Sequence, residues 1–260
     1  MIIKKKVLSL LLIIVFAFGI SAIADELTAE DIITKVDQEM KVENKYMEQE
    51  MILISGSGTE RSRSLQVWNK KGDENDKMMA KFTEPANIKG TGILMVGDDM
   101  WLYLPALGRV KRIAGSAKQG DFMGSDLTYE DMEALGNNGF DNDYEVELLG
   151  EEKLEAYENE TYLLKLIPTD EEISYSKLEM YVDKEIFLPL KINYYINDKL
   201  SKVLKTSNHK QVNDNYLAMV MEVDDIDKKS KTILKVKNVE FPEEIEDEIF
   251  TVRNLERGVR

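Results

Sequence analysis

The sequence predicts a mainly β protein in which a large antiparallel sheet curls into an incomplete β-barrel. An N-terminal helix and a short lid helix are expected to cover the concave face of that sheet. Three observations support this fold class. Apolar and polar residues alternate in many short runs from residue 46 onward, a helical pattern precedes them, and a second helical pattern lies in the longest interruption between the runs.

The first 24 residues are predicted to be a cleavable signal peptide. Lysines at 4–6 precede a short apolar run, and residues 22–24 have the small-x-small pattern of a cleavage site. The apolar run is shorter than the roughly 20 residues that a membrane span needs. We therefore expect export to the periplasm and one domain over residues 25–260. An uncleaved N-terminal anchor is the alternative.

Composition excludes several classes of function. The chain has no cysteine, which excludes disulfides, thiol chemistry and the cysteine of a lipoprotein anchor. Its formal charge of −15 argues against nucleic-acid partners and against adsorption to anionic lipid headgroups. Burial of an uncharged lipid tail inside the protein is not opposed by this charge.

Residues 27–42 are predicted to form the N-terminal helix. Thr28 is a candidate N-cap, with Asp31 three residues further on. An apolar stripe at helical spacing follows, formed by Leu27, Ile32, Val36 and Met40.

Period-two alternation predicts the strands of the sheet. One face of each strand is apolar and the other is charged, which is typical of a sheet with a core on one side. The predicted strands cover residues 46–55, 59–70, 77–83, 110–114, 144–150, 161–167, 176–183, 190–196, 199–207, 217–223 and 232–239, and a hairpin covers residues 92–104.

The hairpin and the segment that follows it are the most informative part of the chain. Gly97 and Asp98 form a turn between two apolar runs, and the second run is apolar on both faces. Residues 115–142 then break the β pattern, and Thr128 is expected to cap a short helix over residues 128–135. Two short helices cannot fill the interior of a wide curled sheet. We therefore expect an apolar cavity beneath this lid.

Three linked runs in this region resemble a known family. They are Trp101-Leu102-Tyr103-Leu104-Pro105, the run from Arg109 to Ile113, and the run from Phe122 to Asp131. They resemble a LolA-like branch of the LolA/LolB carriers, whose members are described as outer-membrane lipoprotein-sorting proteins. The resemblance implies a half-barrel closed by helices.

The resemblance also implies a function. Such a protein is a non-enzymatic periplasmic carrier without a cofactor. It takes acyl chains of a lipoprotein from an inner-membrane ABC-type exporter and delivers them to an outer-membrane acceptor. We expect a monomer, and the cargo here could also be a phospholipid or glycolipid. A buried arginine on an early strand helps to hold the lid in the classical carrier, and Arg61 and Arg63 are the basic residues on a comparable strand.

Two sets of candidate site residues follow. The expected cavity wall and lid residues are Trp68, Phe82, Trp101, Tyr103, Phe122, Met123, Tyr129 and Met132. The expected polar rim residues are Arg61, Arg63, Arg109, Lys111 and Arg112. The alternative for the first set is ordinary core packing. The alternative for the basic run is a solvated loop that pairs with nearby acids.

We expect no catalytic residue and no metal site. Capping explains Asp126, Glu130 and Asp131, and His209 is the only histidine, without an elbow-type serine. Two other functions stay open. The protein could be a lipid-binding accessory or sensor module of an exporter or an anti-sigma pathway. A lipid hydrolase would have to depend on His209.

Overall fold

A computed structural model describes residues 27–41, 43–135, 139–140, 143–213 and 215–257 of the chain. The predicted signal peptide over residues 1–24 lies outside this range. Within the described range, no helix is long and apolar enough to cross a membrane.

One antiparallel sheet contains the thirteen strands of the described residues. They are β1 (Lys45–Ile54), β2 (Glu60–Lys70), β3 (Lys77–Glu84), β4 (Gly92–Val96), β5 (Asp99–Leu104), β6 (Arg109–Ile113), β7 (Tyr144–Glu152), β8 (Thr161–Pro168), β9 (Lys177–Asp183), β10 (Pro189–Ile196), β11 (Lys199–Val212), β12 (Asn215–Asp225) and β13 (Ser230–Glu240). The sheet is not closed into a barrel, which confirms the predicted fold class.

The strand order explains the path of the chain. It is β6-β5-β4-β3-β2-β1-β13-β12-β11-β10-β9-β8-β7, so every neighbouring pair except β1 and β13 is consecutive in sequence. The two edge strands, β6 and β7, are joined by the segment that the sequence marks as a long break in the β pattern. This segment must therefore cross from one edge of the sheet to the other.

Helix α1 (Ala29–Met40) covers one half of the concave face. Thr28 and Asp31 form the expected capping box, with each side chain bonded to the backbone N–H of the other residue. Ile32, Ile33 and Val36 are buried in a core with side chains of β7 to β12. The amphipathic pattern thus places the helix on the curled sheet.

The lid, defined here as residues 115–135, covers the other half of the concave face. Two 3-10 turns, Gly115–Gln119 and Phe122–Gly124, precede helix α2 (Tyr129–Glu133). Thr128 and Asp131 form a second capping box, as predicted. Phe122 and Tyr129 are buried in a core with side chains of β1 to β6.

The C-terminal segment covers the convex face. A 3-10 turn (Asp247–Phe250) and helix α3 (Val252–Arg257) pack Phe250 and Leu255 against Met79 and Leu94. A Cβ at Gly92 would lie 3.0 Å from the Leu255 side chain, so the absent side chain permits this close approach.

Candidate functional site

An apolar cavity of about 210 Å³ lies beneath the lid on the concave face. Its walls come from the end of α1, from the strands at the centre of the sheet and from the lid. Alternation along the strands explains its apolar character, because every second side chain faces inward. The lining residues are Met40, Lys45, Met47, Gln49, Met51, Leu65, Val67, Asn69, Met78, Ala80, Phe122, Leu127, Met132, Leu135, Leu217, Ala218, Met221, Leu234 and Val236.

Methionine is frequent in this wall, with six of the lining side chains. Methionine is unbranched and adopts many shapes at low energetic cost. A wall of this kind can therefore repack around apolar ligands of different shape.

An aromatic cluster forms the contact between the lid and the sheet. The ring of Phe122 lies 6.0 Å from the ring of Phe82 and 5.7 Å from the ring of Tyr129, centroid to centroid. All three residues are buried. This contact closes the cavity on the side of β3.

Arg63 on β2 binds the lid directly. Its Nη1 donates a hydrogen bond of 2.7 Å to the carbonyl oxygen of Met123. The guanidinium also lies 5.7 Å from the ring centroid of Phe82. Burial and the charge of Arg61 lower the pKa of Arg63. Of the two arginines considered from the sequence, Arg63 is therefore the one that contacts the lid.

Asp126 binds the lid to β13. Its carboxylate accepts hydrogen bonds from the hydroxyls of Thr232, at 2.7 Å, and of Ser230, and its backbone N–H donates to the Thr232 hydroxyl at 2.9 Å. Asp126 and Thr232 are both buried. This contact fixes the middle of the lid to the centre of the sheet.

Asp131 binds the lid to β11 through a buried ion pair with Lys202. The hydroxyl of Tyr175 donates to Asp131 at 2.7 Å and accepts from Lys202 Nζ at 2.8 Å. Burial, supported by the Asp131 charge, raises the pKa of Tyr175, which keeps this hydroxyl protonated. The three groups satisfy one another away from water, so Asp131 has a structural partner beyond the cap predicted for it.

A larger cleft lies on the far side of these lid contacts and has a different character. Its volume is about 660 Å³, and many of its lining side chains are charged, among them Asp121, Asp126, Asp225, Asp227 and Lys228. An acyl chain would desolvate these groups without pairing them, which is costly. The smaller apolar cavity is therefore the better candidate for a hydrophobic ligand.

The structure divides the predicted wall residues between the two faces of the sheet. Phe122 and Met132 line the cavity, while Phe82, Met123 and Tyr129 pack in the cluster beside it.

Three predicted wall residues need a correction. Trp68, Trp101 and Tyr103 pack on the convex face, against the cluster that contains Phe250 and Leu255. The C-terminal segment provides the apolar cover that these rings need. Their expected place in the cavity wall is therefore wrong.

The predicted rim residues also do not form one site. Arg61, Arg109 and Lys111 are exposed, and Arg112 forms an exposed ion pair with Asp99. For Arg112 this is the pairing expected of a solvated loop. The basic run lies on the edge strand β6, and none of its residues lines the cavity.

Several site residues were not singled out from the sequence. On β11, Lys202 occupies an inward position next to the inward-facing Leu204, and on β1 and β2 Lys45 and Asn69 share the face of Met47 and Val67. A polar residue at an inward position of an alternating strand is the signal that marks such residues. The partner of Lys202 is Asp131, which lies 71 residues away in sequence.

Comparisons with known proteins agree with this architecture. The chain is similar to an outer membrane lipoprotein-sorting protein domain from Vibrio parahaemolyticus, with 29% identity, a TM-score of 0.80, and coverage of 88% of this chain and 98% of that domain. It is similar to a DUF1329 family protein from Desulfovibrio piger, with 29% identity, a TM-score of 0.81, and coverage of 87% and 97%. A LolA superfamily protein from Nitrosomonas europaea shares the fold at 23% identity and a TM-score of 0.70, with coverage of 88% and 99%.

The chain thus has a LolA-like fold with a covered concave face, as the resemblance of its motifs predicts. A protein-family model described only as "Uncharacterized protein" matches residues 74–257. This range is more than half of the chain, so the chain belongs to that family. No curated protein matches the chain.

Proposed function

We propose that the protein is a periplasmic, non-enzymatic carrier that binds acyl chains of a lipoprotein or another lipid in the concave cavity. The observation that carries this proposal is the apolar, methionine-rich cavity between the sheet and a lid held by polar contacts. The similarity to a lipoprotein-sorting domain supports the same assignment. An inner-membrane exporter and an outer-membrane acceptor would then be its partners.

The energetics of burial suit a reversible carrier. Each buried CH₂ group contributes ~0.8 kcal/mol, so a long acyl chain binds tightly without a covalent bond. The cavity of about 210 Å³ is smaller than the roughly 300–1,000 Å³ typical of ligand pockets. Binding a whole chain therefore requires the lid to move away from the sheet.

Filling the cavity tests the proposal. Ala218 on β12 lines the cavity. An Ala218→Trp variant should lower the affinity for a fluorescent fatty acid by about tenfold or more, because the indole occupies the space of the chain. The matched control is Ala156→Trp at an exposed position. Since overpacking costs about 1–3 kcal/mol, a melting curve must show that the variant is folded. Wild-type affinity in a folded Ala218→Trp protein would place acyl binding elsewhere.

A transfer assay separates the carrier from the accessory or sensor module. Donor vesicles with a fluorescent lipid are mixed with acceptor vesicles, and the rate of lipid movement is measured with and without the protein. A carrier raises the rate in proportion to its concentration. Tight acyl binding without any increase in transfer would instead favour the accessory or sensor module.

A further inference from the structure

One end of the cavity is polar. Lys45 on β1 and Asn69 on β2 are directly opposite each other in the strand register, and both side chains line the cavity. Opposite residues on one face of an antiparallel pair have Cβ atoms about 4.5–5.5 Å apart. One small ligand group can therefore contact the ammonium and the amide together.

Asn69 has an unsatisfied polar atom at this position. The residue is only 6% exposed, and its Oδ1 accepts no hydrogen bond from the residues that the structure describes. An unpaired buried group loses its hydrogen bonds to water and gains none in return, so buried polar atoms without a partner are rare. A hydrogen-bond donor on a ligand would remove this cost.

Lys45 supplies a positive charge beside that amide. Its burial lowers the pKa, and the carboxylate of Glu43 opposes the shift. An anion in the cavity would stabilise the charged ammonium and would raise the pKa again. The pair therefore offers a cation and an acceptor at the end of an otherwise apolar wall.

We propose that Lys45 and Asn69 bind the head of the lipid, and that this head carries a phosphate and a hydroxyl. A phosphate oxygen accepts from Lys45 Nζ, and the hydroxyl donates to Asn69 Oδ1. The acyl chain then runs along the methionines of the wall toward Phe122 of the lid. This inference rests on the proposed function, because it names the head group of the lipid that the cavity holds.

Three probes with the same chain length separate the two contacts. Lauroyl lysophosphatidylglycerol has a phosphate and hydroxyls, dodecylphosphocholine has a phosphate without a hydroxyl, and monolaurin has hydroxyls without a charge. Affinities are measured by calorimetry below the critical micelle concentrations. The wild-type protein should prefer the first probe over each of the others by about tenfold, because each of the others lacks one of the two hydrogen bonds.

Two variants assign the preference to the two side chains. Lys45→Met should abolish the advantage of the lysophospholipid over monolaurin and leave monolaurin binding unchanged. Asn69→Leu should abolish the advantage of the lysophospholipid over dodecylphosphocholine. The control is Lys153→Met, which removes the same charge at an exposed position and should keep the wild-type ranking.

The outcomes distinguish this inference from the proposed function. Equal binding of all three probes by the wild-type protein would overturn the head-group assignment and leave acyl binding intact. A wild-type ranking that survives in Lys45→Met and Asn69→Leu would also overturn it. Binding of none of the probes would overturn the proposed function itself.

Discussion

Replacing Arg63 by methionine is expected to loosen the lid. The guanidinium donates a 2.7 Å hydrogen bond to the carbonyl of Met123 and lies 5.7 Å from the ring centroid of Phe82. Methionine keeps an apolar side chain of similar length, so the main loss is the hydrogen bond. A hydrogen bond to a charged group contributes about 1.5–3 kcal/mol, and each 1.4 kcal/mol is roughly a factor of ten. The population of the open lid should therefore rise by about tenfold to a hundredfold.

Amide hydrogen exchange measures this population. Inside the lid, the N–H of Phe122 donates to Leu127 at 2.7 Å and the N–H of Tyr129 donates to Gly120 at 3.2 Å. These amides should exchange faster in the Arg63→Met variant by the same factor. Amides of the sheet, such as those of β9 and β10, should keep their wild-type protection.

Arg61 provides a matched control. It lies on the same strand and faces the same side, but it is exposed. Arg61→Met removes the same charge without removing the lid contact, so lid exchange should not change. Equal exchange of the lid amides in wild type and Arg63→Met would refute the view that this arginine holds the lid. Equally faster exchange of the lid amides in both variants would mean that the lost positive charge, and not the lost hydrogen bond, causes the effect.

Two further predictions concern stability. Lys202→Met leaves the buried carboxylate of Asp131 without its cation and should lower the free energy of unfolding by about 3–5 kcal/mol in denaturant titrations. The matched variant Lys165→Met removes the exposed ion pair with Glu147 and should lower the free energy of unfolding by less than about 1 kcal/mol. Similar losses in both variants would show that burial does not set the cost of removing the lysine. Burial lowers the pKa of Lys81 to about 8 from its ordinary 10.5, so the unfolded chain binds more protons between these values and stability should rise with pH there. Lys81→Met should flatten this rise, and an unchanged slope would exclude Lys81 as its source.

Local patterns predicted most of the fold. Alternation at Leu178, Met180 and Val182 marks an inward face, and all three are buried. The capping boxes at Thr28 and Thr128 form as expected. These features depend on neighbours within a few residues, so they are visible in the sequence.

It was harder to predict which side of the sheet, concave or convex, each strand face lies on. Alternation shows that Trp101 and Tyr103 share a face, but it does not show whether that face is concave or convex. The answer depends on the C-terminal segment, whose Phe250 and Leu255 cover these rings from the other side of the sheet. A contact over such a distance in sequence leaves no local pattern.

The polar contacts of the lid were missed for a similar reason. Asp126 and Thr232 are separated by 106 residues, and Asp131 and Lys202 by 71 residues. Helix capping explained Asp131 adequately, so its sequence context gave no reason to seek a partner. Only the topology, which carries the lid from one edge of the sheet to the other, brings these groups together.

The arrangement of these contacts indicates how the lid can open. The polar lid contacts lie at one end of the paired strands, where Arg63, Lys202 and Thr232 are close to the first residues of β2, β11 and β13. Lys45 and Asn69 lie at the opposite end of the strands.

On the cavity side, the lid touches the sheet through apolar side chains such as Phe122, Met132 and Leu135. An entering acyl chain replaces these contacts with equivalent ones, since apolar burial is not directional. The polar contacts have no such substitute, because a hydrocarbon chain cannot pair their groups. We infer that the lid separates from the sheet at the cavity side and at Arg63 and stays attached through Asp126 and Asp131, so that binding requires displacement of a few apolar side chains and no rupture of the buried ion pair.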